Sequence, residues 1–325
     1  MISRRILITG GGGFIGHHLT HALISQGHFV RVADLRFTAE VAAMAHEYLK
    51  VDLRDASSCD QVTRDVDEVY HLAANMGGIG FIERNKAAIV RDNSLIDIGI
   101  LHAANKNSVG KLLFTSSACV YPRGLQSGPQ ATRLREADAY PADPEDGYGW
   151  QKLTTERLCR HYMDDFRLDV RIARLHNIFG PNGAWKYGRE KFPAALCRKV
   201  AEARDGDDLP LWGDGRQLRS YCYVSDCVEG LQLLMGSGYT EAVNVGQDVE
   251  ISVSAMADLV CDIAGKRLNK VYDGSAPVGV AARNADIGLI KEITGWAPRV
   301  SLKTGLKRTY AWVSDQVFSE SSLDE

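Results

Sequence analysis

The segment that most constrains this chain is Ile6-Leu7-Ile8-Thr9 running into Gly10-Gly11-Gly12-Gly13-Phe14-Ile15-Gly16. An apolar β-type run enters a glycine turn, and a helical pattern follows through Leu19, Ala22 and Leu23 to Gly27. Glycines at 10, 13 and 16 let the backbone turn tightly, approach a pyrophosphate and pack the helix on a sheet. The helix start at Phe14 and Ile15 offers free N–H groups and the positive end of the dipole. The next strand, Phe29 to Ala33, ends in Asp34. A carboxylate there accepts hydrogen bonds from a ribose diol and repels a 2′-phosphate, which favours NAD over NADP, although Arg36 argues the other way.

The alternation continues. Tyr48 to Asp52, Glu68 to Ala74, Lys111 to Thr115 and Val170 to Arg174 read as strands with helical stretches between them. This pattern predicts an α/β fold with a doubly wound parallel Rossmann sheet, its ligands at the carboxyl ends of the strands. Asp52, Leu53, Leu72 and Ala73 fall there, beside the expected cofactor, and so does Cys119. From about His176 the alternation breaks. Helical stretches near 189–203, 252–264 and 303–317, with short strands at Leu209 to Trp212 and Val243 to Val245, predict a smaller mixed α/β lobe that binds substrate.

A chain of 325 residues, 45% hydrophobic and 24% charged, can bury the core this fold needs. Its net charge of -3 gives no electrostatic case for nucleic acid or membrane as partners. The apolar run after Arg4 and Arg5 breaks at once into glycines, so neither a signal region nor a membrane span fits, and a cytoplasmic protein is expected. Seven cysteines, an odd number, with no C-x-x-C pair and no zinc spacing, predict reduced thiols and no metal site. The tail from Ser319 to Glu325 reads as frayed.

Tyr148 and Lys152 stand four apart at the start of a helical pattern reaching about Asp165, so phenol and ammonium share one face. A neighbouring cation and a charged nicotinamide favour the phenolate, so Tyr148 is expected to accept a hydroxyl proton as hydride leaves. Cys119 follows the strand serines Ser116 and Ser117 and places a thiol at a strand end. An unpaired Cys is ordinarily a small buried hydrophobe, the expectation for Cys59, Cys159 and Cys261. The histidines, His71 and His176 among them, are expected to be structural.

The glycine turn, Asp34, Val51-Asp52-Leu53, His71-Leu72-Ala73-Ala74, Ser116-Ser117-Ala118, Tyr148/Lys152, Asn177-Ile178-Phe179-Gly180-Pro181 and Trp212-Gly213-Asp214-Gly215 together resemble the extended short-chain dehydrogenase/reductases, the NAD-dependent epimerase/dehydratase family. The resemblance covers nearly the whole chain and implies NAD as resident cofactor and a nucleotide-sugar substrate. Family dehydratases carry an acid pair after the strand serine and simple 4-epimerases a threonine at the position of Cys119; neither pattern is met. Ser116 to Pro122, His71 to Phe81 and Trp185 to Ala195 are instead similar to the branch that inverts carbons 3 and 5 of GDP-mannose, so a GDP-sugar is favoured.

That resemblance implies oxidation at carbon 4, with Ser117, Tyr148 and Lys152 in attendance, and inversion by Cys119 and Lys191 acting on opposite faces. By the same likeness Met76, Gly77, Gly78 and Glu190 line the sugar site, Asn177 and Lys199 contact diphosphate or sugar, and Arg219 and Arg283 clamp the diphosphate. It implies a cofactor domain over 1–175 joined by about 220–245, and a nucleotide-sugar lobe over 176–219 and 246–325. It also implies a homodimer through a four-helix bundle built from 93–105 and 148–165. A UDP-sugar 4-epimerase or decarboxylase, and a non-catalytic NAD or nucleotide-sugar binder, are the alternatives. Asn75, Tyr187 and Ala281-Ala282 depart from plant-like members, which carry Asp, Gly and Arg-Gly; a tyrosine at 187 is expected to shrink the pocket.

Overall fold

The computed structural model describes residues 3–128 and 133–321. Strand and helix alternate as the apolar runs dictate: β1 (Arg5–Thr9), α1 (Phe14–Ser25), β2 (Phe29–Asp34), α2 (Ala39–Met44), β3 (Glu47–Lys50), α3 (Ala56–Val62) and β4 (Glu68–His71). Next come α4 (Ile79–Arg84), α5 (Lys86–Lys106), β5 (Lys111–Ser117), β6 (Arg133–Leu134), α6 (Gly147–Phe166), β7 (Val170–Leu175) and β8 (Ile178–Phe179). The remainder is α7 (Phe192–Glu202), β9 (Asp208–Trp212), β10 (Leu218–Ser220), β11 (Cys222–Tyr223), α8 (Val224–Gly236) and β12 (Ala242–Val245). It closes with β13 (Glu250–Ser252), α9 (Val253–Ala264), β14 (Asn269–Asp273), β15 (Ala282–Ala285), α10 (Gly288–Thr294) and α11 (Leu302–Ser321).

Seven parallel strands form the main sheet in the order β12-β7-β5-β4-β1-β2-β3. Because helices cover both faces, central strands carry unbroken apolar runs such as Leu112-Leu113-Phe114, all fully buried. One face packs Leu19, Leu23, Val228 and Leu231 from α1 and α8. The other packs Val62, Ile96, Ile100, Leu101 and Cys159 from α3, α5 and α6. Strand order reverses between β1 and β4, and the diverging crossovers there open a crevice at the carboxyl ends.

The smaller sheet runs β13-β10-β15-β6, and two-stranded pairs join β8 to β11 and β9 to β14. β10 and β15 are parallel with Arg219 opposite Arg283, which puts both guanidinium stems on one face. Val243 to Val245, read as a strand of the mixed tail, pairs with β7 and extends the main sheet. Two boundaries differ from expectation. α7 starts at Phe192 rather than 189, because the Arg189 carbonyl accepts the Gly78 N–H at 3.1 Å and so is committed to another loop. α11 continues through Ser321, so the helix covers the start of the expected frayed tail; residues 322–325 lie outside the described residues. Among the described residues no helix is long and apolar enough to cross a membrane.

Candidate active site

The crevice above β1 is shaped by backbone. Gly10 adopts a φ of 72°, and Gly13 caps α1 with no side-chain hydrogen bond, leaving first-turn N–H groups open. A Cβ on Gly12 would lie 1.9 Å from the Arg36 carbonyl oxygen, and one on Gly16 would lie 2.3 Å from that of Gly10. Phe14 and Ile15 begin α1 and pack partly buried against the core. Asp34 closes β2, its Oδ2 accepting the Gly12 N–H and its Oδ1 the Arg36 N–H, each at 3.1 Å. Burial pushes the Asp34 carboxyl up, opposed by these N–H donors. Leu72 and Ala73 follow β4, where Leu72 N–H meets the Thr9 carbonyl at 3.1 Å and Ala73 N–H meets Thr9 Oγ1 at 3.3 Å. Asp52 pairs with Arg54 at 2.5 Å, and Leu53 is buried beside α3. A glycine cradle with no room for side chains, open helix N–H groups and a carboxylate at the second strand's end fit a dinucleotide.

Next to it, Asp146 caps α6 by accepting the N–H groups of Tyr148 at 2.9 Å and Gly149 at 3.2 Å. A Cβ on Gly149 would fall 2.2 Å from the Cys119 carbonyl, so glycine is what lets the Tyr148 helix seat on the turn carrying the thiol. Tyr148 is buried and hydrogen-bonded to Ser117. Burial, then the adjacent Cys119, push its phenol up, with the Ser117 hydrogen bond opposing them. The expected lowering by Lys152 is therefore absent in the protein alone, because the Lys152 ammonium is balanced by a buried acid. Its Nζ lies 3.4 Å from Asp97 Oδ2 and 4.6 Å from the centre of the Phe114 ring.

Asp97 also accepts from Gln151 at 2.8 Å and Thr155 at 3.1 Å, and meets His71 Nε2 at 3.0 Å. His71 Nδ1 is 2.7 Å from Thr9 Oγ1. One polar chain therefore links the glycine turn to Lys152. Burial acts to raise the Asp97 carboxyl, but Lys152 and His71 outweigh it and bring it to about 2.

Cys119 sits in the tight turn after β5, its N–H donating to Ser117 Oγ at 3.2 Å. It shares an apolar cluster with Tyr148, Ile82, Ile89, Phe81 and Met76. The loop bearing Met76 and Gly77 is locked to Lys191's segment: Arg189 Nη1 donates to the Met76 carbonyl at 3.1 Å, and a Cβ on Gly78 would fall 2.4 Å from the Glu190 carbonyl. Lys191 is the N-cap of α7, where the dipole disfavours a cation. It keeps solvent contact, yet the surrounding protein lowers its pKa by desolvation, with Cys119 and then Cys227 opposing.

Arg219 donates to the carbonyls of Leu218, Ala281, Val278 and Val280. Desolvation, followed by the neighbouring Arg283, brings it down to about 10. Arg283 bonds Cys119, Gln126 and Glu145.

Ser117, Cys119, Tyr148, Lys152, Met76 to Gly78, Lys191 and the two arginines thus lie around the strand ends. Three expected ligands point elsewhere. Glu190 faces Arg198 at 3.5 Å rather than Lys191, with its Oε2 buried and unpartnered. Lys199 Nζ donates to the Pro210 carbonyl at 2.7 Å. Asn177 Nδ2 ties the β7–β8 turn to the Ser220 carbonyl at 3.0 Å.

Tyr187 does not shrink the pocket: it is 87% exposed, at a φ of 66°, and Lys186 Nζ lies 4.4 Å from its ring centre. Asn75 donates to Asp92 at 3.1 Å, where an aspartate would repel. Sequence reasoning missed Asp97, Gln126 and Glu145. Asp97 carried a signal: it lies on the buried stripe of α5 with Asn93, Ile100, Leu101 and Ala104, a charge where an apolar residue belongs. Gln126 and Glu145 carried none.

Residues 6–246 match the model of the NAD dependent epimerase/dehydratase family. GDP-mannose 3,5-epimerase 1 of Oryza sativa subsp. indica is 43% identical over 98% of this chain and 84% of its own length. UDP-glucuronic acid decarboxylase 1 of Xenopus tropicalis is 32% identical over 94% of this chain and 71% of its own. The solved UDP-glucose 4-epimerase of Thermotoga maritima, with UDP-glucose, superposes with a TM-score of 0.87 at 26% identity, covering 96% of this chain and 99% of that one.

Proposed function

Because the chain belongs to the NAD-dependent epimerase/dehydratase family and is an NAD-dependent enzyme, we propose that it is a nucleotide-sugar epimerase inverting carbon 3, carbon 5 or both of GDP-mannose. The observation that carries this reading is the thiol of Cys119 packed beside Tyr148, with the backbone of Lys191's segment at the start of α7 locked to the same loop. When bound, NAD would be held by the glycine cradle and Asp34 and would supply reversible hydride removal at carbon 4.

Tyr148 takes the proton from the carbon 4 hydroxyl, held in place by Ser117, while Lys152, anchored on Asp97, supports the phenol face. A ketone at carbon 4 makes the hydrogens on carbons 3 and 5 acidic. One of Cys119 and Lys191 removes such a proton and the other returns one to the opposite face. Thiol and amine can both serve as proton donor or acceptor, and desolvation lowers the Lys191 amine from its ordinary range. Arg219 and Arg283 supply positive charge for a diphosphate.

The test is turnover of GDP-mannose in deuterium oxide. Deuterium is expected at carbon 3, carbon 5 or both; its absence from both after product forms would overturn the reading. The likeness to a UDP-glucuronic acid decarboxylase and a UDP-glucose 4-epimerase supports a second reading, action on a UDP-sugar, which predicts product from UDP-sugars and full activity of Cys119→Ala.

A homodimer belongs to the same proposal: α5 and α6 pack side by side and leave Leu95, Ile98 and Trp150 exposed. Ile98→Arg is then expected to halve the mass seen by sedimentation. The return of α8 and β12 to the main sheet supports a discontinuous cofactor domain, 1–175 with about 220–245, beside a substrate lobe. Seven free cysteines support a cytoplasmic setting.

A further inference from the structure

Arg283 is braced in three directions. Its Nε donates to Gln126 Oε1 at 2.6 Å, its Nη2 to Glu145 Oε2 at 2.9 Å and its Nη1 to Cys119 Sγ at 3.4 Å. Gln126 is locked in turn, its Nε2 donating to the carbonyls of Tyr121 at 3.1 Å and Pro122 at 3.2 Å, so its oxygen is the atom left to face Arg283. The Arg283 side chain is only 11% exposed. A planar guanidinium gripped along two edges has little freedom to leave the sulfur.

We infer that Arg283, fixed by Gln126 and Glu145, holds Cys119 as a thiolate before any substrate arrives, and so acts as the positioning residue of the proton-transfer thiol. A charge-assisted donor on sulfur favours S⁻ over SH. The groups around it agree. Arg219 stands beside Arg283 on β10, and Glu145 is the carboxylate in contact; Lys191 on α7 and Tyr148 on α6 are the other titratable groups whose charge reaches the thiol. Arg283 is thus the cation in contact with the thiol, and Glu145 is its counter-ion. The use of this thiolate rests on the epimerase reading, but its existence does not.

The experiment is the rate of iodoacetamide alkylation at Cys119 against pH, followed by peptide mass spectrometry on the full-length protein with NAD and no sugar nucleotide. The wild-type midpoint is expected below about 8.5, the value of an ordinary thiol. Arg283→Gln is expected to raise it by at least about one pH unit, roughly a tenfold slower reaction at any pH well below the wild-type midpoint. Arg283→Lys is expected to raise it less, and Gln126→Ala, which keeps every charge, to give a smaller rise. Identical midpoints in wild type and Arg283→Gln, with only KM for substrate rising, would assign Arg283 to the diphosphate alone and overturn the inference. If Arg283→Gln does not fold, an unchanged midpoint in Gln126→Ala overturns it. A failed deuterium exchange would sink the epimerase reading and leave these midpoints untouched.

Discussion

The two ends of the cleft are built in opposite ways. The cofactor end is backbone: a glycine turn and the first turn of α1, consecutive in the chain, with Asp34 received from the adjacent parallel strand. The other end, where we propose the sugar binds, is side chain: Met76, Cys119, Glu145, Tyr148, Lys191 and Arg283 arrive from distant segments and both sheets. A site made of backbone tolerates no added atoms but asks little of long-range order. One made of converging side chains depends on every element that delivers them.

Cys119→Ala puts the largest load on that contrast. It is expected to lower epimerisation about 10³-fold while leaving NAD binding and thermal stability close to wild type. Equal activity in wild type and variant would remove the thiol from the chemistry. Gly12→Ala is the converse test, since the new methyl meets the Arg36 carbonyl oxygen. A loss of about 3 kcal/mol in urea unfolding, together with loss of NAD binding by titration calorimetry, is expected. Near-wild-type binding would show that the cradle can yield.

Asp97→Asn probes the joint between the two ends, because it strands the Lys152 ammonium in a buried site. It is expected to cost about 3 kcal/mol and to lower kcat more than it raises KM. An unchanged unfolding midpoint would show Lys152 finding another partner.

Acid is expected to act through His176, buried at the seam of the two sheets with Nε2 2.8 Å from Asn244 Oδ1. Burial draws its pKa down to about 3, opposed by the Asn244 hydrogen bond, so below about 6.5 the unfolded chain binds a proton that the native chain refuses. Stability therefore falls as pH drops from 6.5, by about 2 kcal/mol at pH 5. Asp97, depressed to about 2, contributes nothing to that fall until pH approaches 4. Urea midpoints at pH 7 and 5 measure it; a flat profile would mean His176 is protonated in the fold.

The smallest effect belongs to Tyr187→Gly. Relief of a left-handed tyrosine and the added freedom of the unfolded chain offset each other, so the midpoint is expected to move by no more than about 0.5 kcal/mol. A larger rise would mean that the exposed ring strains its loop.

Legibility follows the same divide. The order of strands and helices, the cradle, Asp34, the Tyr148/Lys152 pair and the turn bearing Cys119 were readable because each rests on neighbours in sequence: a glycine, a fourfold spacing, a strand end. Asp97 was half-readable, as a charge on the buried stripe of α5. Gln126 and Glu145 were not, since only the return of β15 beside β10 brings Arg283 to them. The orientations of Glu190, Lys199 and Tyr187 were likewise invisible, because a long side chain takes whichever partner the fold presents.

By itself, then, the sequence determined a parallel sheet with a glycine turn at its switch point, because hydrophobic period and glycine placement act over a few residues. Tertiary structure alone decided that a guanidinium from the second sheet faces the thiol and that a buried aspartate holds the lysine. Those contacts join residues scores of positions apart, and no local rule of spacing reaches that far.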